Sequence, residues 1–280
     1  MQYIRLILVA LVLLPGMLMQ AMAQLEVQLN APRKEFVPGE NVPLVVTITN
    51  HTDASVALKN IPGRSWLHLE LSRYGELTPI PPESTPRYPD ITITPGSRRA
   101  FTITLKPHYS LNREGSYRAS VTLRLPDMHT TYSSNSTSFS LSAGGTLRKF
   151  TVQARGQRLV TSLKLLSQKG INYIFGQVMN ADTRIPLGAC LLGQYLNFME
   201  PKVLLDRAQN LHVLMQSTPE FYTYAVMDTF GARKQYVVLK RTGGPVELVS
   251  TGGGIRYVGL APYKRPKKDS DTMHSASERP

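Results

Sequence analysis

From Leu25 onward the chain is cut into short segments of alternating apolar and polar residues, separated by proline and glycine turns. That spacing directs it to an all-β fold. Leu25-Glu26-Val27-Gln28-Leu29 alternates with period two, as a strand with one buried face must. Phe36-Val37-Pro38-Gly39-Glu40 reads as a turn, and Leu44, Val46 and Ile48 then share one face of residues 42–50. Residues 55–58, 66–71, 91–94, 99–105, 118–125 and 138–141 are further strand candidates, with a proline-rich connection over 79–89. No window carries a helical period. An antiparallel β-sandwich over residues 24–143 accounts for this pattern.

The residues also carry a resemblance. Phe36-x-Pro38-Gly39-Glu40, an alternating strand ending Thr49-Asn50, and Gly115-x-Tyr117-x-Ala119-x-Val121 together resemble bacterial immunoglobulin-like modules of the macroglobulin and adhesion types. In such modules the Pro-Gly-Glu turn precedes the second strand and the Gly-x-Tyr strand lies near the end. The resemblance implies a fold and not a task. The thioester motif Cys-Gly-Glu-Gln of macroglobulins is absent, so trapping chemistry is not implied.

Residues 144–149, beginning Gly144-Gly145, are expected to join this domain to a second one. Beyond them, residues 160–166 and 171–179 flank the hairpin turn Gln168-Lys169-Gly170. Residues 187–205 leave two readings open. Leu191, Tyr195 and Phe198 fit one face of a short helix, whereas Gly188, Gly193 and Pro201 disfavour a long one. From Asn210 the pattern is a meander, with strand candidates at 211–216, 222–228, 235–240, 246–249 and 255–260. A second antiparallel β domain over 150–261 is expected, followed by a disordered basic tail over 262–280.

The first 23 residues follow a different logic. Arg5, an apolar run over 6–14, and Ala21-Met22-Ala23 before Gln24 have the layout of a secretory signal peptide cleaved after Ala23. Pro15-Gly16 and Gln20 leave about ten uninterrupted apolar residues against roughly twenty for a membrane span, so cleavage is expected rather than anchoring. A secreted or periplasmic location follows, with no membrane span after cleavage. Cys190 is the only cysteine, so no intramolecular disulfide can form and the domains must rest on their hydrophobic cores. Within Leu187-Gly188-Ala189-Cys190-Leu191-Leu192 it reads as a small buried hydrophobe.

The formal net charge is +13, dispersed except where Lys264, Arg265, Lys267 and Lys268 cluster near the C-terminus. Such an excess favours anionic partners. For an exported chain these are an envelope polymer, a polysaccharide or another envelope protein, and not nucleic acid.

Motifs that would carry catalysis are missing. The six histidines lack metal-ligand spacing, and neither a Gly-x-Ser-x-Gly elbow nor a Walker loop occurs. No metal or other cofactor is expected. Ser250-Thr251-Gly252-Gly253-Gly254 lies between strand candidates and reads as a hairpin turn. Glu200, Asp206, Glu220 and Asp228 show no spacing that selects a catalytic pair. Tyr222, Tyr224, Tyr236 and Tyr257 lie on successive second-domain strands, where they either stack on a ligand or pack a core. Asn50-His51-Thr52 and Asn135-Ser136-Thr137 match the N-glycosylation pattern, which matters only in a eukaryotic source. The expectation is therefore a secreted, non-enzymatic, envelope-associated binding or structural module. The alternatives are a carbohydrate-processing hydrolase with acids assembled from distant strands, and an accessory subunit of a larger secreted complex.

Overall fold

The computed structural model describes residues 24–125, 131–154, 156–252 and 254–263. The expected leader with its cleavage site at Ala23, and the tail cations Lys264, Arg265, Lys267 and Lys268, lie outside the described residues. Every element among the described residues is a β-strand. The strands fall into two compact units. The first takes residues 24–36 together with Asn41–Leu141, and the second takes Val37–Glu40 together with the described residues from Ser142 onward.

The first unit holds β1 (Leu25–Asn30), β2 (Glu35–Phe36), β3 (Pro43–Asn50), β4 (Val56–Leu58) and β5 (Leu67–Arg73). It continues with β6 (Ile91–Ile93), β7 (Arg98–Thr104), β8 (Gly115–Arg124), β9 (Thr131–Ser133) and β10 (Thr137–Leu141). One sheet runs β1-β3-β7. A second runs β2-β10-β8-β5, with β9 beside β8, and β4 and β6 pair as a third, two-stranded sheet; β2 lies parallel to β10 while the rest is antiparallel. Alternation along each strand sends one set of side chains inward. Leu25, Val27 and Leu29 of β1 and Tyr117, Ala119 and Val121 of β8 share a single core. Trp66 lies fully inside it, packed edge-on against Tyr88 and Phe101, and its Nε1–H donates to the Pro89 carbonyl at 3.2 Å.

Buried backbone that no strand pairs is satisfied by two asparagines. Asn50, with no exposed surface, donates from Nδ2 to the carbonyls of Ala54 and Ile93, while its Oδ1 accepts from Thr52 N at 2.9 Å. Asn135 bonds both the N–H and the carbonyl of Leu29. Both glycosylation-pattern asparagines are therefore spent on structure. A side-chain amide supplies a donor and an acceptor in one rigid plane, which is what an interrupted strand edge lacks.

The second unit holds β11 (Gly145–Ala154), β12 (Gln157–Gln168), β13 (Ile171–Asn180), β14 (Pro186–Tyr195), β15 (Lys202–Leu205) and β16 (Leu211–Gln216). Then follow β17 (Phe221–Met227), β18 (Arg233–Arg241), β19 (Glu247–Thr251), β20 (Gly254–Val258) and β21 (Leu260–Pro262). Residues 144–149, expected as a joint, instead begin β11. Gly144 makes the turn at φ +61°, and the polar residues after it belong to an edge strand. Residues 187–205 form β14 and β15, so the helical option falls away. Gly188 is there because a Cβ would lie 1.9 Å from the Phe230 carbonyl oxygen, a close backbone approach rather than a helix break.

Two sheets, β11-β12-β13-β14 and β15-β16-β17-β18-β21, enclose one core that includes Leu163, Ile174, Leu192, Val213 and Ala225. The opposite face of the second sheet is covered by the hairpin β19-β20. Leu214, Tyr222, Tyr224 and Val226 meet Val246, Leu248 and Tyr257 there in a second core. β16 and β17 are thus buried on both faces.

Val37–Glu40 completes this unit from far away in sequence. Val37 is fully buried with Leu166, Phe175 and Ala189. Gln177 Nε2 donates to the Pro38 carbonyl at 2.9 Å, and Ala189 N donates to the Gly39 carbonyl at 3.1 Å. Gly39 sits at φ +86°, and a Cβ there would come within 2.9 Å of Pro186 Cβ. Two substitutions test these supports in urea melts of the whole chain. Gly39→Ala is expected to cost about 1–3 kcal/mol through the forced left-handed backbone. Asn50→Ala is expected to cost about 2–3 kcal/mol through the unpaired buried groups it leaves. Unchanged midpoints would remove the assigned roles.

Candidate functional site: an open groove beside β11

Of the four tyrosines with ligand-stacking potential, the structure withdraws two. Tyr222 and Tyr224 share a face of β17, as period two requires, but they are 5% and 3% exposed beneath the β19-β20 hairpin. Tyr257 comes from that hairpin and packs edge-on against Tyr224 at 5.2 Å. Tyr236 on β18 is exposed, with the Arg233 guanidinium 4.7 Å above its ring. The four do not form one platform.

The polar chemistry around Tyr224 is likewise internal. His212 Nδ1 lies 2.6 Å from the Tyr224 hydroxyl and Nε2 lies 3.2 Å from Asp206 Oδ2. The Asp206 carboxylate can only accept, so Nε2 donates to it, and Nδ1 shares a hydrogen bond with the tyrosine hydroxyl. Asn210 donates to Asp206 from both backbone and side chain at 2.8 Å. Burial raises the Asp206 pKa, but the hydrogen bonds from Asn210 and His212 outweigh it and hold the carboxyl below its ordinary value. This chain clamps the turn between β15 and β16, and its last hydroxyl is closed off from solvent.

The remaining acids are also engaged in different places. Glu200 pairs with Arg148 and Glu220 lies 3.9 Å from Lys240. Asp228 accepts from the amides of Phe230 and Ala232 and meets Lys234. Among the described residues, no group of three or more His, Cys, Asp or Glu is placed to hold a metal ion. Cys190 packs beside the main core of the unit, where burial pushes its thiol up to about 12 and keeps it protonated.

The side of the second unit's sandwich at β11 is open. This ten-residue strand pairs with β12 alone and is the outer strand of its sheet. Its register shifts between Thr146 and Arg148, which leaves Leu147 as a bulge. Residues 147–150 line one wall of a cavity of about 550 Å³, and Tyr195, Asn197, Glu200 and Pro201 line the other. The Tyr195 hydroxyl lies 3.1 Å from Asn197 Oδ1 and 2.9 Å from the Met199 carbonyl, and Phe198 N donates to the Leu196 carbonyl at 2.8 Å. This pinned rim holds Phe198 in solvent at 78% exposure, beside an exposed Met199; Leu147 is exposed on the opposite wall. Arg148 bonds Glu200 across the groove at 2.8 Å, while Lys149 has no ion-pair partner among the described residues. No motif spacing marks this site in the sequence. Its signal was an aromatic and a methionine beside a proline, Phe198-Met199-Glu200-Pro201, within a segment whose fold was open.

No protein-family profile matches the chain. No curated protein matches it either. Solved structures give faint likenesses. The sporulation control protein Spo0M of Bacillus subtilis is 9% identical, with 78% of this chain and 89% of that one covered at a TM-score of 0.30. The E. coli chaperone DraB is 12% identical, with 75% and 96% covered at a TM-score of 0.26. At such scores the likeness defines no shared fold.

The Asp206 clamp predicts a pH signature. Because its folded pKa is depressed, its contribution is present above the unfolded value near 3.9 and is lost as pH falls through the folded value. Asp206→Asn should therefore be less stable than the natural chain at pH 7, with the gap closing below about pH 4 in urea titrations. A gap that stays constant from pH 7 to pH 2 would contradict the clamp.

Proposed function

We propose that this protein is an exported, non-enzymatic binding module that engages an anionic extracytoplasmic partner through the groove beside β11. The observation that carries the reading is the rim. A buried tyrosine fixes a loop that keeps Phe198 in water, and the loop's Asn197 and Glu200 line one cavity with two β11 cations, of which only Arg148 has an ion-pair partner among the described residues. An aromatic fixed in solvent by a pinned loop is available to anchor a partner. The leader-like residues 1–23 support export, and the +13 charge supports an anionic partner. The structural engagement of Glu200, Asp206, Glu220 and Asp228 supports binding over hydrolysis. The tail cations Lys264, Arg265, Lys267 and Lys268 would add long-range attraction.

The first unit fits an immunoglobulin-like scaffold in this reading. Its sheets run β1-β3-β7 and β2-β10-β8-β5, and β2 lies parallel to β10 at the edge. The Tyr117 hydroxyl, near the start of β8, donates to the Arg113 carbonyl at 2.6 Å, the corner arrangement of such domains. Two residues on, where antibody domains place a cysteine, stands the buried Ala119. Packing replaces the cross-link.

The test is elution from polyanions. The chain from residue 24 should bind immobilised polyglutamate and dextran sulfate, ignore neutral dextran, and elute with salt. Replacing Arg148 and Lys149 by glutamine should lower the eluting salt more than replacing Lys59 and Arg87, exposed cations of the first unit. Equal effects of the two pairs would remove the groove from the reading.

A further inference from the structure

We infer that β11 is a docking edge for an extended polypeptide segment that alternates acidic and apolar residues, added as a further strand. This rests on the binding-module reading above and names its partner class. β11 offers ten residues of strand with only β12 beside it, so its outer N–H and C=O groups face no other strand. An added strand would satisfy them, and alternate side chains would supply selectivity.

Charge and shape then select the segment. Phe150, Val152 and Ala154 turn toward the core, and by alternation Arg148 shares that side while Lys149 stands on the other. An alternating segment would thus set its carboxylates beside Lys149 on one face and its apolar residues toward the groove on the other. Glu200 already answers Arg148, so the groove face needs no added carboxylate. Leu147 on the cavity wall, and Phe198 and Met199 in the loop between the lining residues Asn197 and Glu200, offer exposed apolar contact. A second copy of the chain fits poorly. Antiparallel self-pairing centred on Arg148 or on Lys149 would set that cation opposite its own copy, like against like. The bulge at Leu147 and the cations also guard the edge against indiscriminate pairing.

The probe is a fluorescein-labelled eight-residue peptide alternating glutamate and valine, titrated into the chain from residue 24 and followed by polarisation. Two analogues carry N-methyl groups, on the glutamate amides or on the valine amides, and a third has lysine in place of glutamate. We expect saturable binding of the parent and a loss of at least about tenfold for one or both methylated analogues, since a blocked edge cannot pair. We also expect no binding of the lysine analogue. Lys149→Glu and Phe198→Ser, both at exposed positions, should each weaken the parent about fivefold or more. Equal affinity for the parent and both methylated analogues would overturn strand addition. So would a concentration-dependent dimer that excludes the peptide. Retention on polyglutamate and dextran sulfate without peptide binding would overturn this inference and leave the anionic-partner reading standing. Failure of both would remove the two together.

Discussion

The second unit depends on burial of one sheet from both sides. β16 and β17 carry apolar residues in nearly continuous runs, Leu211 to Met215 and Tyr222 to Met227, and neither face is given to water. On one face the β11–β14 sheet closes the main core, and on the other the β19-β20 hairpin closes a smaller one. At about 25 cal/mol per Å² of apolar surface removed from water, layering of this kind is how a chain with one cysteine holds together without cross-links. The same layering fixes what is polar. The largely buried His212 is answered by Tyr224 and Asp206.

Closure on two faces leaves the margins. A sheet that is not a barrel must end in edge strands, and each end must be paired, covered or made unattractive. At β11 the protein uses a bulge and two cations, and across the groove it fixes a loop on the Tyr195 hydroxyl that presents Phe198. Protection and presentation occur within a few residues of each other. An edge left accessible but chemically selective is suited to recognising one kind of extended partner.

Much of the fold could be read from the residues, and the failures have physical causes. Leu25, Val27 and Leu29 alternate in sequence and alternate in burial, because a strand at the edge of a sandwich has one wet face. Tyr222 and Tyr224 share a face, as period two requires, yet that period cannot say what covers the face. The hairpin that does so comes from residues 247–258. Gly144-Gly145 resembled a joint because glycine pairs punctuate chains; only the first makes a turn, and the polar residues that follow are those of an edge strand. The contribution of Val37 to a core otherwise built beyond residue 142 leaves no local trace. The groove was hidden for a similar reason: its two walls meet only after residues 187–205 fold as strands, with Tyr195 at the end of β14.

Hydrogen exchange on the chain from residue 24, free of any ligand and read by mass spectrometry, tests the central claim most directly. The account predicts the slowest exchange in the second unit at residues 211–227, where both faces are covered, and fast exchange at alternate amides of residues 147–153, where the edge is open. Protection along the whole of β11 would contradict an open edge. Exchange in β17 as fast as in β11 would contradict the two-sided burial on which the unit depends.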